Sequence, residues 1–181
     1  MARADGRLTA DLNPQDHGPQ DACGVIGIYA PGEEVSKLTY FGMYALQHRG
    51  QESAGMAVSD GRHMMVFKDM GLVSQVFDEA TLNSLQGHMA VGHTRYSTTG
   101  ASIWDNAQPT FRSRQGGDGL ALAHNGNLTN TGALEALIAE RAPDTEVPHK
   151  DRMDSSSDTS LVTALMTTYD LSLIHISEPT R

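Results

Sequence analysis

Cysteine is almost absent from this 181-residue sequence, and Cys23 is the only one. A single thiol closes no internal disulfide, so nothing asks for an oxidising compartment. Positive charge is also scarce: 13 Lys and Arg stand against 22 Asp and Glu, for a net charge of −9. That balance argues against non-specific binding to nucleic acid or anionic membrane, both of which select for excess Lys and Arg. No apolar run approaches the ~20 residues that cross a bilayer. Residues 1–22 lack the apolar stretch of a secretory signal, and Asp5, Asp11 and Asp16 argue against an organellar transit peptide. The expected location is the cytoplasm. Eight histidines are present, yet there is no His-Glu-x-x-His, no Cys-x-x-Cys and no zinc-finger spacing. A Walker A loop and a Gly-x-Gly-x-x-Gly turn are missing too, so no metal or nucleotide site is expected by motif.

What is present suffices for one domain with a core: 39% of residues are hydrophobic and 19% charged. Residues 1–22 form a polar leader with Pro14, Gly18 and Pro19. CGVIGIYA reads as a buried strand. Val35, Leu38, Phe41, Ala45 and Leu46 recur at helical spacing, with Gly50 as a stop. Asp60-Gly61 between two apolar runs predicts a hairpin. LVSQVFDEATLNSLQG reads as short helical turns. HMAVGHTRYST and GLALAHNGNLTN are each an apolar strand that ends in polar residues. NTGALEALIAERA is a helix capped near Asn130 or Thr131, and SDTSLVTALMTTYD another, with Leu161, Leu165 and Met166 on one face. The mixture favours α/β architecture with antiparallel pairing over a doubly wound parallel sheet.

Two strands that deliver polar clusters at their ends suggest a site there. Cys23 is either a small buried hydrophobe or a nucleophile. If the chain were cut between Ala22 and Cys23, the new α-amino group would be a base titrating near ~7.7–8, close to working pH. Asn125 and Gly126 offer a side-chain amide and an approachable backbone N–H, which together suit an oxyanion; the alternative is a plain Asn-Gly turn. Arg95 is either a surface arginine or a bidentate carboxylate ligand. Asp158 could hold an ammonium; the sequence supports a helix N-cap there well, and the two roles are compatible. Arg49 follows a helix, where it would ordinarily serve the C-terminal dipole.

Taken together, CGVIGIY, YALQHRGQESAGMAV, VGHTRYSTTG, NAQPT, AHNGNLTN and SSSDTSLV resemble the glutaminase domain of the amidophosphoribosyltransferase family, in family order from about residue 21 to 165. The resemblance implies an α+β fold, the N-terminal-nucleophile hydrolase four-layer sandwich of helices, two antiparallel sheets and helices. It implies that residues 1–22 are a propeptide removed by self-processing and that 23–170 are a partial glutamine amidotransferase domain. Cys23 would attack the side-chain amide of L-glutamine, with Asn125 and Gly126 holding the oxyanion, Arg95 the α-carboxylate and Asp158 the α-ammonium. Tyr96, Thr98, Arg49 and Gly50 would line or position the pocket. In the whole enzyme the ammonia would convert phosphoribosyl pyrophosphate to 5-phosphoribosylamine, the first step of purine synthesis, and the enzyme would be a homo-oligomer.

The sequence departs from the family in extent. No phosphoribosyltransferase domain is legible, so the Mg²⁺ that domain implies, and the iron–sulfur cluster of some members, would need ligands from elsewhere. The tail 171–181, LSLIHISEPTR, does not continue the family pattern and reads as non-native; an ordinary helix end stopped by Pro179 is the alternative. Partial sheets expose apolar surface and edges, so a chain of this extent is expected to be poorly stable alone. Two other readings stand beside the first: another N-terminal-cysteine amidotransferase, such as one like glucosamine-6-phosphate synthase, and an inactive glutamine-binding module or fragment.

Overall fold

The computed structural model describes residues 23–96, 102–113, 119–142 and 158–169. The leader, the tail and Thr98 lie outside them. Strands β1 (Gly24–Tyr29), β2 (Ser53–Ser59), β3 (Met64–Met70) and β4 (Met89–Arg95) form one antiparallel sheet in the order β1-β4-β2-β3. The β2–β3 turn falls at Asp60-Gly61 as the sequence predicts. Gly61 adopts φ +87°, and the Asp60 carboxylate accepts the N–H groups of Arg62 and His63 at 2.8 and 2.6 Å. Those donors hold the Asp60 carboxyl well below the usual carboxylate range.

β2 is buried from Ser53 to Val58, so both faces of the sheet are covered there. Side chains alternate across a strand. Ala54, Met56 and Val58 point into a core with Val35 and Met43 of α1 (Val35–Ala45), Val73 and Val76 of α2 (Val73–Val76), and Leu82 of α3 (Glu79–Ser84). Burying one such side chain fully is worth about 1.5–3 kcal/mol. Ser53, Gly55 and Ala57 face the opposite way, toward a second antiparallel sheet of β5 (Thr110–Ser113) and β6 (Gly119–Leu122). Helix α5 (Asp158–Thr167) packs on that sheet, with the Thr110 and Thr163 hydroxyls hydrogen-bonded. Helix α4 (Thr131–Arg141) packs on α5 through Ile138, Leu161 and Ala164. The layers run helices, sheet, sheet, helices.

Several sequence expectations need correction. β1 is an edge strand rather than a buried one, with Val25 and Tyr29 39% and 71% exposed, because it pairs with β4 alone. The inner face of α1 is Val35, Ser36, Thr39 and Met43, while Leu38 and Phe41 lie outward. Small residues win that face because the helix sits close over β4: a Cβ on Gly92 would come within 2.7 Å of Met43 Sδ. The buried hydroxyls are satisfied, Ser36 donating to the Leu82 carbonyl and Thr39 to the Val35 carbonyl at 2.9 and 2.7 Å. Helix α1 stops at Ala45, and a 3-10 turn, Gln47–Arg49, follows before Gly50. Helix α4 starts at Thr131 after Asn130, whose side chain makes no capping bond. In α5 the buried face is Thr159, Ser160, Leu161, Thr163 and Ala164, with Leu165 only partly covered against α4. Strand β5 is short and polar, and its sequence TFRS carries little periodic signal.

Candidate functional site

Cys23 stands immediately before β1 and is half-buried. The β1–β4 ladder ends on the pair Gly24 and Thr94, which brings Cys23 to the end of β4. There its sulfur lies 3.4 Å from both the backbone nitrogen and the carbonyl oxygen of Tyr96. Two donors converge on the Cys23 carbonyl: Arg49 Nε at 3.3 Å and Asn125 Nδ2 at 2.7 Å. Arg49 reaches it because the turn that carries it is pressed onto β4. A Cβ on Gly50 would sit 2.5 Å from the Thr94 carbonyl carbon and oxygen, so only glycine permits that approach. Arg49 thus ends its 3-10 turn as a basic residue and also reaches the cysteine. Tyr96 meets the sulfur through its backbone, and its side chain is 42% exposed.

Arg95 is 5% exposed and points into the space between the sheets, on the face that β2 presents with Ser53 and Gly55. It is not a surface arginine. Its Nη1 is bonded to Glu52 Oε1, and the Glu52 N–H donates to the Arg95 carbonyl at 3.1 Å. Sequence reasoning missed Glu52. A signal existed in QHRGQESAG, because a buried guanidinium demands an acid within reach and this one directly precedes β2, the strand paired with β4.

Asn125 and Gly126 do not form a hairpin turn: β6 ends at Leu122 and the next element is α4. Gly126 has no positive φ. A Cβ on it would fall 2.6 Å from His124 Nε2, so a side chain there would displace the His124 ring. Asp158, the first residue of α5, accepts the Leu128 N–H at 2.7 Å and faces His124 Nδ1 at 3.9 Å. It thereby fastens the loop that follows Asn125. His93, two residues before Arg95 on the same face, is fully buried. Its ring approaches the His124 backbone, yet neither ring nitrogen reaches a hydrogen bond of ordinary geometry. Burial, foremost, with the Arg95 charge adding, pushes its pKa down to about 4, so the imidazole is neutral at physiological pH.

The structure thus brings Arg49, Tyr96 and Asn125 into direct contact with Cys23, with Gly50 packed on Thr94 beside them, Arg95 adjoining along β4 and Asp158 connected through Leu128 and His124. A thiol beside a fixed amide donor is an arrangement for acyl chemistry. Among the described residues no group of three or more His, Cys, Asp or Glu is placed to hold a metal ion. No helix among the described residues is long and apolar enough to cross a membrane.

No family model matches the chain. Among curated proteins, the amidophosphoribosyltransferase of Mycobacterium bovis is 61% identical over 143 residues, which is 75% of this chain and 27% of that protein. The enzyme of the same name from Synechococcus elongatus is 60% identical over 139 residues, or 74% of this chain and 28% of the relative. Among solved structures, the glutamine phosphoribosylpyrophosphate amidotransferase of B. subtilis, complexed with ADP and GMP, aligns with TM-score 0.67 at 34% identity, over 84% of this chain and 30% of that one. A structure described as the allosteric regulatory enzyme of purine biosynthesis aligns with TM-score 0.69 at 35% identity, over 84% of this chain and 31% of that chain. The chain spans little more than a quarter of the length of these curated relatives. Over the residues it spans, the chain belongs with the amidophosphoribosyltransferases, matching the N-terminal part of those proteins.

Proposed function

We propose that this chain is the glutamine-hydrolysing half of an amidophosphoribosyltransferase. The observation that carries the reading is the meeting of Asn125 and Arg49 at Cys23, a residue type suited to nucleophilic attack. Residues 1–22 are removed, and Cys23 becomes the first residue with a free α-amine. The thiol proton passes to that amine as sulfur adds to the amide carbon of the glutamine side chain. The C=O electrons move onto oxygen, and the Asn125 amide and the Gly126 N–H donate hydrogen bonds to the oxyanion so formed. The tetrahedral intermediate then collapses. The C–N bond breaks, the amine returns the proton to the leaving nitrogen, and ammonia departs. Water adds to the resulting thioester and releases glutamate and the free thiol.

Arg95 pairs with the substrate α-carboxylate and Asp158 with its α-ammonium. In the whole protein the ammonia displaces pyrophosphate from phosphoribosyl pyrophosphate and gives 5-phosphoribosylamine. We place the protein in the cytoplasm, as a homo-oligomer.

The test is glutamate and ammonia release from L-glutamine by the whole polypeptide carrying this sequence, with Cys23→Ala as control. Release in equal amounts, abolished in the control, is the expected result. A folded, correctly processed wild type that releases neither sinks the reading. Pyrophosphate release on adding phosphoribosyl pyrophosphate separates this enzyme from other amidotransferases with the same cysteine chemistry.

A further inference from the structure

The motif NAQPT has no role in the mechanism above, yet it lies between the two sheets at the site. In the β5–β6 ladder Thr110 pairs with Leu122, and the same register carried on sets Gln108 opposite His124. The ladder itself does not extend that far, and the residue between, Pro109, has no N–H to give. The Gln108 side chain takes over: its Oε1 accepts the His124 N–H at 2.7 Å. Gln108 is 5% exposed.

It is also clamped to the first sheet. Its carbonyl oxygen packs on β2 so closely that a Cβ on Gly55 would lie 2.2 Å from it. The preceding carbonyl, of Ala107, accepts from Lys68 Nζ at 2.6 Å, and the Trp104 ring N–H donates to the Lys68 carbonyl at 3.0 Å. Lys68 lies on β3, so two strands of the first sheet hold this segment. On the far side, the His124 ring lies against Gly126. A continuous run of contacts therefore passes from β2 and β3 through Gln108 to the backbone just before Asn125 and Gly126.

We propose that Gln108 is the positioning residue of the oxyanion-binding loop, fixing Asn125 and Gly126 against the sheet that carries Arg95 and adjoins Cys23. This rests on the glutaminase reading. Gln108 touches no reacting atom and acts through His124. A donor displaced by about 1 Å from a developing oxyanion loses up to about 10²-fold in rate, whereas binding of the substrate's amino-acid end is untouched.

The test uses the whole polypeptide with two variants. Gln108→Leu removes the acceptor at nearly constant volume, and Gln108→Glu keeps it. For the Leu variant the expected result is a kcat for glutamine hydrolysis lowered about 10- to 100-fold, with KM and the iodoacetamide alkylation rate of Cys23 within about twofold of wild type. For the Glu variant kcat stays within about fivefold of wild type, because the acceptor is retained. An unchanged kcat in the Leu variant overturns the proposal. So does an equal loss in both variants, or a loss in which KM and alkylation move with kcat. If the Leu variant does not fold, Gln108→Asn, which draws the acceptor back by one methylene, is read by the same criteria. A folded wild type that alkylates at Cys23 but releases no glutamate sinks the glutaminase reading and this inference with it. An active wild type with an unchanged Leu variant sinks the inference alone.

Discussion

The side-chain amide of Asn125 donates to the carbonyl oxygen of Cys23 at 2.7 Å, across 102 positions of sequence. The donor is already directed at the residue that would form the acyl intermediate, and its loop is tied down by Asp158 and Gln108. A fixed donor costs little reorganisation when charge develops on oxygen. Asn125→Ala is therefore expected to lower kcat about 10²- to 10³-fold with KM for glutamine nearly constant. Steady-state glutamate release over a range of glutamine concentrations reads both. A rise in KM with kcat intact would make Asn125 a ground-state binding group instead.

Glu52 and Arg95 make a second testable pair. Arg95 is almost wholly buried, and removing the charge of one partner in a buried pair takes away an attraction that offsets the desolvation of the other. Glu52→Gln is expected to cost about 3 kcal/mol of stability, read by chemical denaturation. If Arg95 receives the α-carboxylate of glutamine, the same change also loosens its aim and raises KM about tenfold, with kcat little changed. Arg95→Lys, which keeps the charge but loses the planar fork, should raise KM as well. A KM unmoved by both substitutions would assign the pair to stability alone.

The legible parts of the fold and site were those where local chemistry dictates structure. Asp60-Gly61 needs no tertiary context to turn, and the strand ending in His93 and Arg95 announces itself by an apolar run that stops in polar residues. Cys23, Asn125, Arg95 and Asp158 could be named from motif order, but not their partners. Glu52 and Gln108 matter through contacts made between strands, and nothing in a single strand's pattern reveals which acid or amide will face which group. The inner face of α1 was misleading for a related reason. Thr39 and Met43 lie close over Gly92 and Ser36 turns in to the Leu82 carbonyl, while Leu38 and Phe41 face outward, and a hydrophobicity pattern cannot see backbone distance.

His93 gives a pH prediction with a definite sign. Burial holds its folded pKa at about 4, below the ordinary histidine value of 6.5, so the unfolded chain binds the extra proton first as pH falls. Stability from this group is full above about pH 7, declines below about 6.5 and levels off below about 4. Between pH 7.5 and 4.5 the loss is on the order of 2 kcal/mol. Denaturant titrations of wild type and His93→Gln at both pH values isolate that share, since other titrating groups are common to both proteins. Equal pH dependence in the two would show that the imidazole is protonated, or solvated, inside the fold.

Self-processing would account for where the single cysteine stands. A thiol deep in the chain at position 23 has no α-amine of its own, and no carboxylate or imidazole contacts its sulfur among the described residues. Freed at its N-terminus, the same residue supplies both nucleophile and base. The leader would be released when the thiol adds to the Ala22 carbonyl, the Ala22–Cys23 C–N bond breaks with transfer of a proton to nitrogen, and water hydrolyses the thioester so formed. Intact-mass measurement of the whole polypeptide should then show loss of residues 1–22 in wild type and their retention in Cys23→Ala. Retention in a folded wild type would leave Cys23 without its amine and would require a separate protease, or another base, before any glutamine could be hydrolysed.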